Sequence, residues 1–327
     1  VAADLRGVDS HGVVMLPRKV GYMRRGLIEP TPEIKIDRET PATALLDGGN
    51  GLGEVVSQRA MEICIQKAKT VGAGFVAVHD SNHYGIAAYY SMMALDHGMI
   101  GISMTNSTPI VVPTFGRKAI IGTNPISLAA PAGTERPYVL DMATSVVPSG
   151  KMTVYKNRGK NIPVGWAIDR EERAMTDPGE VTKMLYSRTG GGLLPLGGGG
   201  EEFGGHKGYG LSLMVDILSG VLSGSAFGPD VYPQRDGNPA PGNVGHFFGA
   251  LSIGSFLPQA MFEQRMDDVI NVLKSSPKAL GQNRIYIHGE KEFEIEEERR
   301  RKGIPLSDQV LEPLKKLADD LQVAFDL

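Results

Sequence analysis

A single cysteine in 327 residues, Cys64, excludes an intrachain disulfide and any cysteine-cluster zinc site. Val56, Ala60, Ala68 and Val71 share a helical face with it, so a packed core thiol is expected. That usage suits a reducing compartment, and a cytoplasmic protein is the expectation. No apolar run approaches the roughly 18 residues of a membrane span. The opening residues carry no basic-then-apolar signal pattern. Val1 is not an initiator Met, and Val1–Leu5 reads as the last turns of a helix, so an incomplete amino terminus is expected. An excess of one charge is also missing. The net charge of −3 gives no electrostatic reason to expect nucleic acid or an anionic membrane as partner. H-E-x-x-H, G-x-x-x-x-G-K-S/T and G-x-S-x-G are all absent. The histidines at 11, 79, 83, 97, 206, 246 and 288 do not fall at metal-ligand spacing, so no metal site is expected.

What remains is the composition of a folded globular chain with room for a sizeable core, 41% apolar and 22% charged. Glycine is the outlier. Its 42 copies exceed the average of about 7%, and many stand beside polar residues.

Several short strands end in polar clusters. Phe75–Val78 reads as a strand, followed by Ser81-Asn82-His83-Tyr84-Gly85 and a buried helix. A histidine at such a junction is either a hydrogen-bonded structural residue or a group that exchanges protons near neutral pH. Thr43–Leu46, Gly101–Met104, Ile120–Ile121, Ile126–Ala129, Tyr138–Leu140 and Ile285–Ile287 are also β-like. Near them stand Asn106-Ser107, Gly122-Thr123-Asn124-Pro125 and Asp141-Met142-Ala143-Thr144-Ser145, where α/β proteins place ligand contacts. Asp141 serves there as a loop cap or as a site residue. Asp9 and Ser10 suit a helix cap, while His11 suits a proton donor or hydrogen-bond partner. The turn Asp47–Gly53 fails the G-x-G-x-x-G spacing because Glu54 occupies the last position, so a standard Rossmann fingerprint is rejected.

Residues 146–180 read as basic and irregular, either a solvated loop or a surface for the adenosine end of a cofactor. Lys156, Arg158 and Lys160 would meet a 2′-phosphate there. The glycines of 190–210 precede an apolar helix, Leu211–Leu222, expected to be buried. With Lys207 they form either a mobile loop or an anion site at a helix amino end. An amphipathic helix follows near Phe262–Leu273, then a charged helix Lys291–Lys302 and a one-faced apolar helix Ser307–Leu321, the last bent or restarted at Pro313.

Asp4–Gly12, Ser81–Gly85, Gly122–Pro125, Leu140–Ser145 and Gly204–Gly210, in that order, resemble the malate/L-lactate dehydrogenase family across nearly the whole chain. That family also holds sulfolactate and ureidoglycolate dehydrogenases, diketogulonate reductases and cyclic-imine reductases. The resemblance implies an α/β fold with a non-Rossmann nicotinamide-binding domain and a mostly helical domain formed by both chain ends. The expected division is 1–45 and 223–327 for the helical domain and dimer contacts, and 46–222 for the cofactor domain. It implies NAD, or NADP, as cofactor, a small-molecule substrate and a homodimer. His83 matches the family's proton acceptor, and Ser10 and His11 its Ser-His pair, with Asp141 a fourth catalytic candidate. Ser107, Thr123, Asn124, Asp141, Met142, Ala143, Thr144, Ser145, His206, Lys207, Gly289 and Glu290 match cofactor or pocket positions, although His288 stands where the family has Pro. Met15 and Lys19 stand where the family often has Arg and Tyr. Arg18 or Lys19 is then left to clamp a carboxylate, since Met has no bidentate fork. The implied reaction is oxidation of a 2-hydroxy acid, malate or lactate first. Reduction of a cyclic imino acid or keto sugar acid, and an inactive nucleotide-binding homologue, are the alternatives.

Overall fold

The computed structural model describes residues 1–235 and 238–325. Residues 236–237 and 326–327, within the expected 223–327 segment, lie outside the described residues. Seven strands form one sheet: β1 Lys35–Glu39, β2 Thr43–Asp47, β3 Ala73–Ser81, β4 Met99–Thr105, β5 Ile126–Ala130, β6 Tyr138–Met142 and β7 Val244–Ser252. Their spatial order is β1-β2-β3-β7-β4-β5-β6. Only β2 and β3 run parallel; the other neighbours are antiparallel. A doubly wound dinucleotide fold needs parallel neighbours joined by crossover helices, so the sheet agrees with the non-Rossmann expectation. β7 lies in the expected 223–327 segment and β1 in 1–45, yet both belong to this sheet.

Helix α3, Gly53–Val71, covers the sheet. Its apolar residues recur every three or four positions, and Val56, Ala60, Met61, Cys64 and Ala68 pack against Leu46, Val76, Val78 and Phe248. Each fully buried aliphatic side chain stabilises by about 1.5–3 kcal/mol. Cys64 is a core thiol, its pKa pushed up by burial. Helix α4, Ala87–Met93, packs on β4 and β5. A second core joins Val111, Val147, Met152, Val181 and Leu193.

The chain ends meet in a helical layer. Helix α1, Ala2–Leu5, packs on α9, Glu290–Lys302, and α2, Leu16–Arg24, packs on α10, Asp308–Leu321. Arg6 pairs with Glu296 at 3.1 Å, and Arg299 pairs with Asp9. Helix α8, Gln259–Ser275, precedes α9.

Five local expectations need correction. Ile285–Ile287 forms no strand; its one link to the sheet edge is the Val139 amide donating to the His288 oxygen at 3.0 Å. Ile121 makes only an isolated bridge with Val111. Residues 146–180 hold helix α5, Gly150–Asn157, before α6, Pro178–Ser187. The apolar stretch 211–222 runs through α7, Gly205–Asp216, into a π-helical turn, and Leu211, Leu213, Ile217, Val221 and Leu222 are exposed rather than buried. Helix α10 continues through Pro313 without a restart. Among the described residues no helix is long and apolar enough to cross a membrane.

Candidate active site

The loop after β3 is held by several hydrogen bonds. Asn82 Nδ2 donates to Asn50 O at 3.1 Å, Asn50 Oδ1 at 3.0 Å and Gly51 O at 3.0 Å. Helix α3 starts so close behind it that a Cβ on Gly53 would sit 2.0 Å from the Asn82 oxygen. The His83 amide donates to Tyr232 Oη at 2.7 Å, and Lys19 Nζ donates to the His83 oxygen at 3.2 Å. Behind the loop, buried His246 bridges Ser81 Oγ at 2.9 Å and Thr105 Oγ1 at 2.7 Å. Its ring lies 4.8 Å from that of Tyr84, the planes 2° apart. Burial pushes the His246 pKa down to about 3.

A second loop brings His11 to the same place. Asp4 accepts from the Val13 amide at 3.1 Å, and a Cβ on Gly12 would stand 1.8 Å from Asp4 Oδ1. Glycine is therefore required for this contact. Ser10 Oγ bonds His11 Nδ1 at 2.8 Å, and the His11 and His83 rings stack with centres 5.4 Å apart. Burial, then the charges of Arg18 and Lys19, lowers the His11 pKa. Burial, then His11, Lys19 and Arg18, holds His83 well below the ordinary histidine value. The Gly85 amide donates to His83 Nδ1 at 3.2 Å. In the neutral ring the proton is therefore on Nε2.

Three cavities lie around this pair, one of them, of about 400 Å³, lined by His11, Met15, Lys19, Glu54 and Gly85. A cleft of about 670 Å³ is lined by His11, Gly85, Thr123, Asp141–Ala143, Ser145 and Gly289. A cavity of about 410 Å³ is lined by Arg18, Asn82, Ser149, Gly150, Arg188 and Tyr232. Segment 82–85 and segment 148–150 each contribute to both walls, and Ser10 Cβ would lie 3.4 Å from a Cβ on Gly150.

The Asp141 side chain opens to the cleft while protein surrounds it on its other sides. Burial raises its pKa to about 6, although its Oδ2 accepts from the Ala88 amide at 2.8 Å. Thr123 pairs with Ser107, Oγ1 to Oγ 3.1 Å. Asn124 and Thr144 are buried and spend their side chains on the loops, Asn124 on Ser212 O at 2.9 Å and Thr144 on Asn124 O at 3.0 Å. Ser145 Oγ bonds Val147 O at 2.9 Å.

Four candidates stand away from the 670 Å³ cleft and the 410 Å³ cavity. The Glu290 carboxylate is buried against Lys274 at 2.7 Å, Arg284 at 3.1 Å and the Ile287 amide at 3.0 Å. His206 and Lys207 are exposed on the first turn of α7 and line neither cavity. Lys19 is buried against Glu54, and desolvation lowers its pKa despite that partner. Its charge is committed to Glu54, so Arg18 is the clamp candidate that reaches the 410 Å³ cavity.

Tyr232, Glu54 and His246 had no motif to mark them. Each reaches the His83 loop from a distant segment, and only the pairing of β7 with β3 and β4 puts His246 there. Among the described residues no His, Cys, Asp and Glu cluster suits a metal ion.

A family model described as malate/L-lactate dehydrogenase matches residues 1–315. The malate dehydrogenase of Pyrococcus abyssi is 52% identical over 319 residues, 97% of this chain and 85% of that protein. The L-sulfolactate dehydrogenase of Methanothermobacter thermautotrophicus is 39% identical, covering 99% of this chain and 89% of that protein. A crystal structure of malate dehydrogenase from Entamoeba histolytica superposes with a TM-score of 0.95 at 37% identity, over 100% of this chain and 90% of that one.

Proposed function

Since the chain belongs to the malate/L-lactate dehydrogenase family, an oxidoreductase family, we propose that it oxidises malate, or a close 2-hydroxy acid, with NAD or NADP. The observation that carries this reading is the stacked His11–His83 pair, with His11 on the wall of a long cleft and Asn82 of the His83 loop on the wall of a smaller cationic cavity. The donor set suits a dinucleotide in the cleft. Thr123 and Ser145 offer hydroxyls, Asp141 a carboxylate, and Gly289 a backbone at φ 94° whose Cβ would meet Val139 at 2.9 Å. Bound there, the cofactor supplies the acceptor for the substrate's hydride.

Substrate enters the smaller cavity, where Arg18 offers a guanidinium to its carboxylate. Burial keeps both imidazoles neutral near neutral pH. In the tautomer in which Ser10 accepts from Nδ1, His11 has a bare Nε2 and takes the hydroxyl proton. His83, its proton held on Nε2 by the Gly85 bond, donates to the same oxygen as it becomes a carbonyl. The sequence expectation gave the acceptor's part to His83; our proposal gives it to His11, with the Gly85 bond to His83 Nδ1 in support. The exposed apolar face of α7 supports a homodimer, acting in the cytoplasm. A steady-state panel of malate, lactate, sulfolactate and ureidoglycolate with both cofactors tests the reading. Turnover of malate with either cofactor is expected, and no turnover of any of the four overturns it.

A further inference from the structure

The cavity that carries Arg18 holds a second guanidinium. Arg188 caps the C-terminus of α6 with φ 52°, the left-handed backbone with which helices commonly end. Its Nη2 donates to the Tyr232 carbonyl oxygen at 3.1 Å. The hydroxyl of the same tyrosine accepts from the His83 amide at 2.7 Å, so one residue ties Arg188 to the His83 loop, whose Asn82 lines the cavity. Both arginines line the cavity, and no acidic side chain among the described residues does. Burial lowers the Arg188 pKa, the direction taken by a cation that has lost water without gaining a carboxylate. A guanidinium in that state is completed by an anionic group of the ligand.

We propose that Arg188 binds the second acidic group of a dianionic 2-hydroxy acid whose first carboxylate lies on Arg18, and so selects such acids over monocarboxylates. This rests on the hydride-transfer reading above. Lactate, with a methyl group where malate carries its second carboxylate, leaves Arg188 unpaired. The preference is therefore a difference in binding, located in KM.

Steady-state kinetics of the wild type, Arg188→Ala and Arg188→Lys with malate and with lactate test the assignment. Arg188→Ala is expected to lower kcat/KM for malate by on the order of 10- to 100-fold, mainly through KM, the scale of a lost charge-assisted hydrogen bond. Lactate kinetics should change little, and Arg188→Lys should recover part of the malate loss. Equal losses on both acids, or none on malate, overturn the assignment. Should Arg188→Ala fail to fold, inhibition of the wild type decides: succinate is expected to compete at least about tenfold more tightly than butyrate. Equal inhibition by the two overturns it. A wild type inactive on every 2-hydroxy acid overturns the hydride-transfer reading itself, and this assignment with it. Activity on malate with an indifferent Arg188 overturns the assignment alone.

Discussion

The imidazoles of His11 and His83 stack with ring centres 5.4 Å apart and planes inclined by 26°. Each ring is oriented by a different neighbour, Ser10 for one and the Gly85 amide for the other. Groups that act as a unit lose their effect together. His11→Ala and His83→Ala are each expected to lower kcat by on the order of 10²-fold. The double variant should be little worse than either single one. Losses that multiply would contradict a shared role.

The pH profile separates the two parts. The acceptor must be unprotonated, and burial disfavours its charged form, so its pKa falls below the ordinary 6.5. The acid limb of kcat/KM for oxidation therefore lies below that value, with a flat region around neutrality. His83→Ala should keep the limb at a lower plateau, and His11→Ala should remove it. The opposite pattern would return the acceptor's role to His83.

Stability carries its own pH signature. His246 titrates near 3 when folded and near 6.5 otherwise. Between those values the unfolded chain binds a proton that the folded state refuses, so stability is lost as pH falls through that window. His11 and His83, both lowered, act in the same sense. Asp141, raised from 3.8 to about 6, acts oppositely between those two values. His246→Gln should flatten the fall of Tm on acidification, measured by circular dichroism. An unchanged slope would contradict the assignment to His246.

Gly53 is a steric gate on the His83 loop. An added Cβ would stand 2.0 Å from the Asn82 oxygen, a backbone atom in a loop that the Asn82 side chain pins to Gly51. Gly53→Ala is expected to destabilise by about 1–3 kcal/mol and to lower kcat by displacing His83. Gly21 in α2 meets nothing within 4 Å, so Gly21→Ala should be neutral or stabilising, as an unobstructed helix position allows. Equal effects from the two changes, in urea melts and in turnover, would contradict the gate.

The loops at the strand ends were legible because their chemistry is local. Ser81–Gly85, Gly122–Pro125 and Leu140–Ser145 each abut a strand whose apolar pattern is evident in the sequence. Arg188 and Tyr232 left no such signal, since their partners come from other segments and the cavity joins them only after folding. Glu54 read only as a residue that spoils a glycine pattern, although its carboxylate is what neutralises Lys19. Helix α5 was hidden because Met152 is its only buried residue, too little to print a period. The 211–222 stretch failed in the other direction. Its unbroken apolar run signals burial, and in the single chain much of that face is open to solvent.

The central claim is hydride transfer from a 2-hydroxy acid with proton exchange at the histidine pair. Its most direct test is cofactor reduction followed optically with malate, for wild type, His11→Ala and His83→Ala at matched, verified folding. The account predicts steady turnover by the wild type and a loss of on the order of 10²-fold in each variant. Wild-type turnover retained in both variants would contradict it.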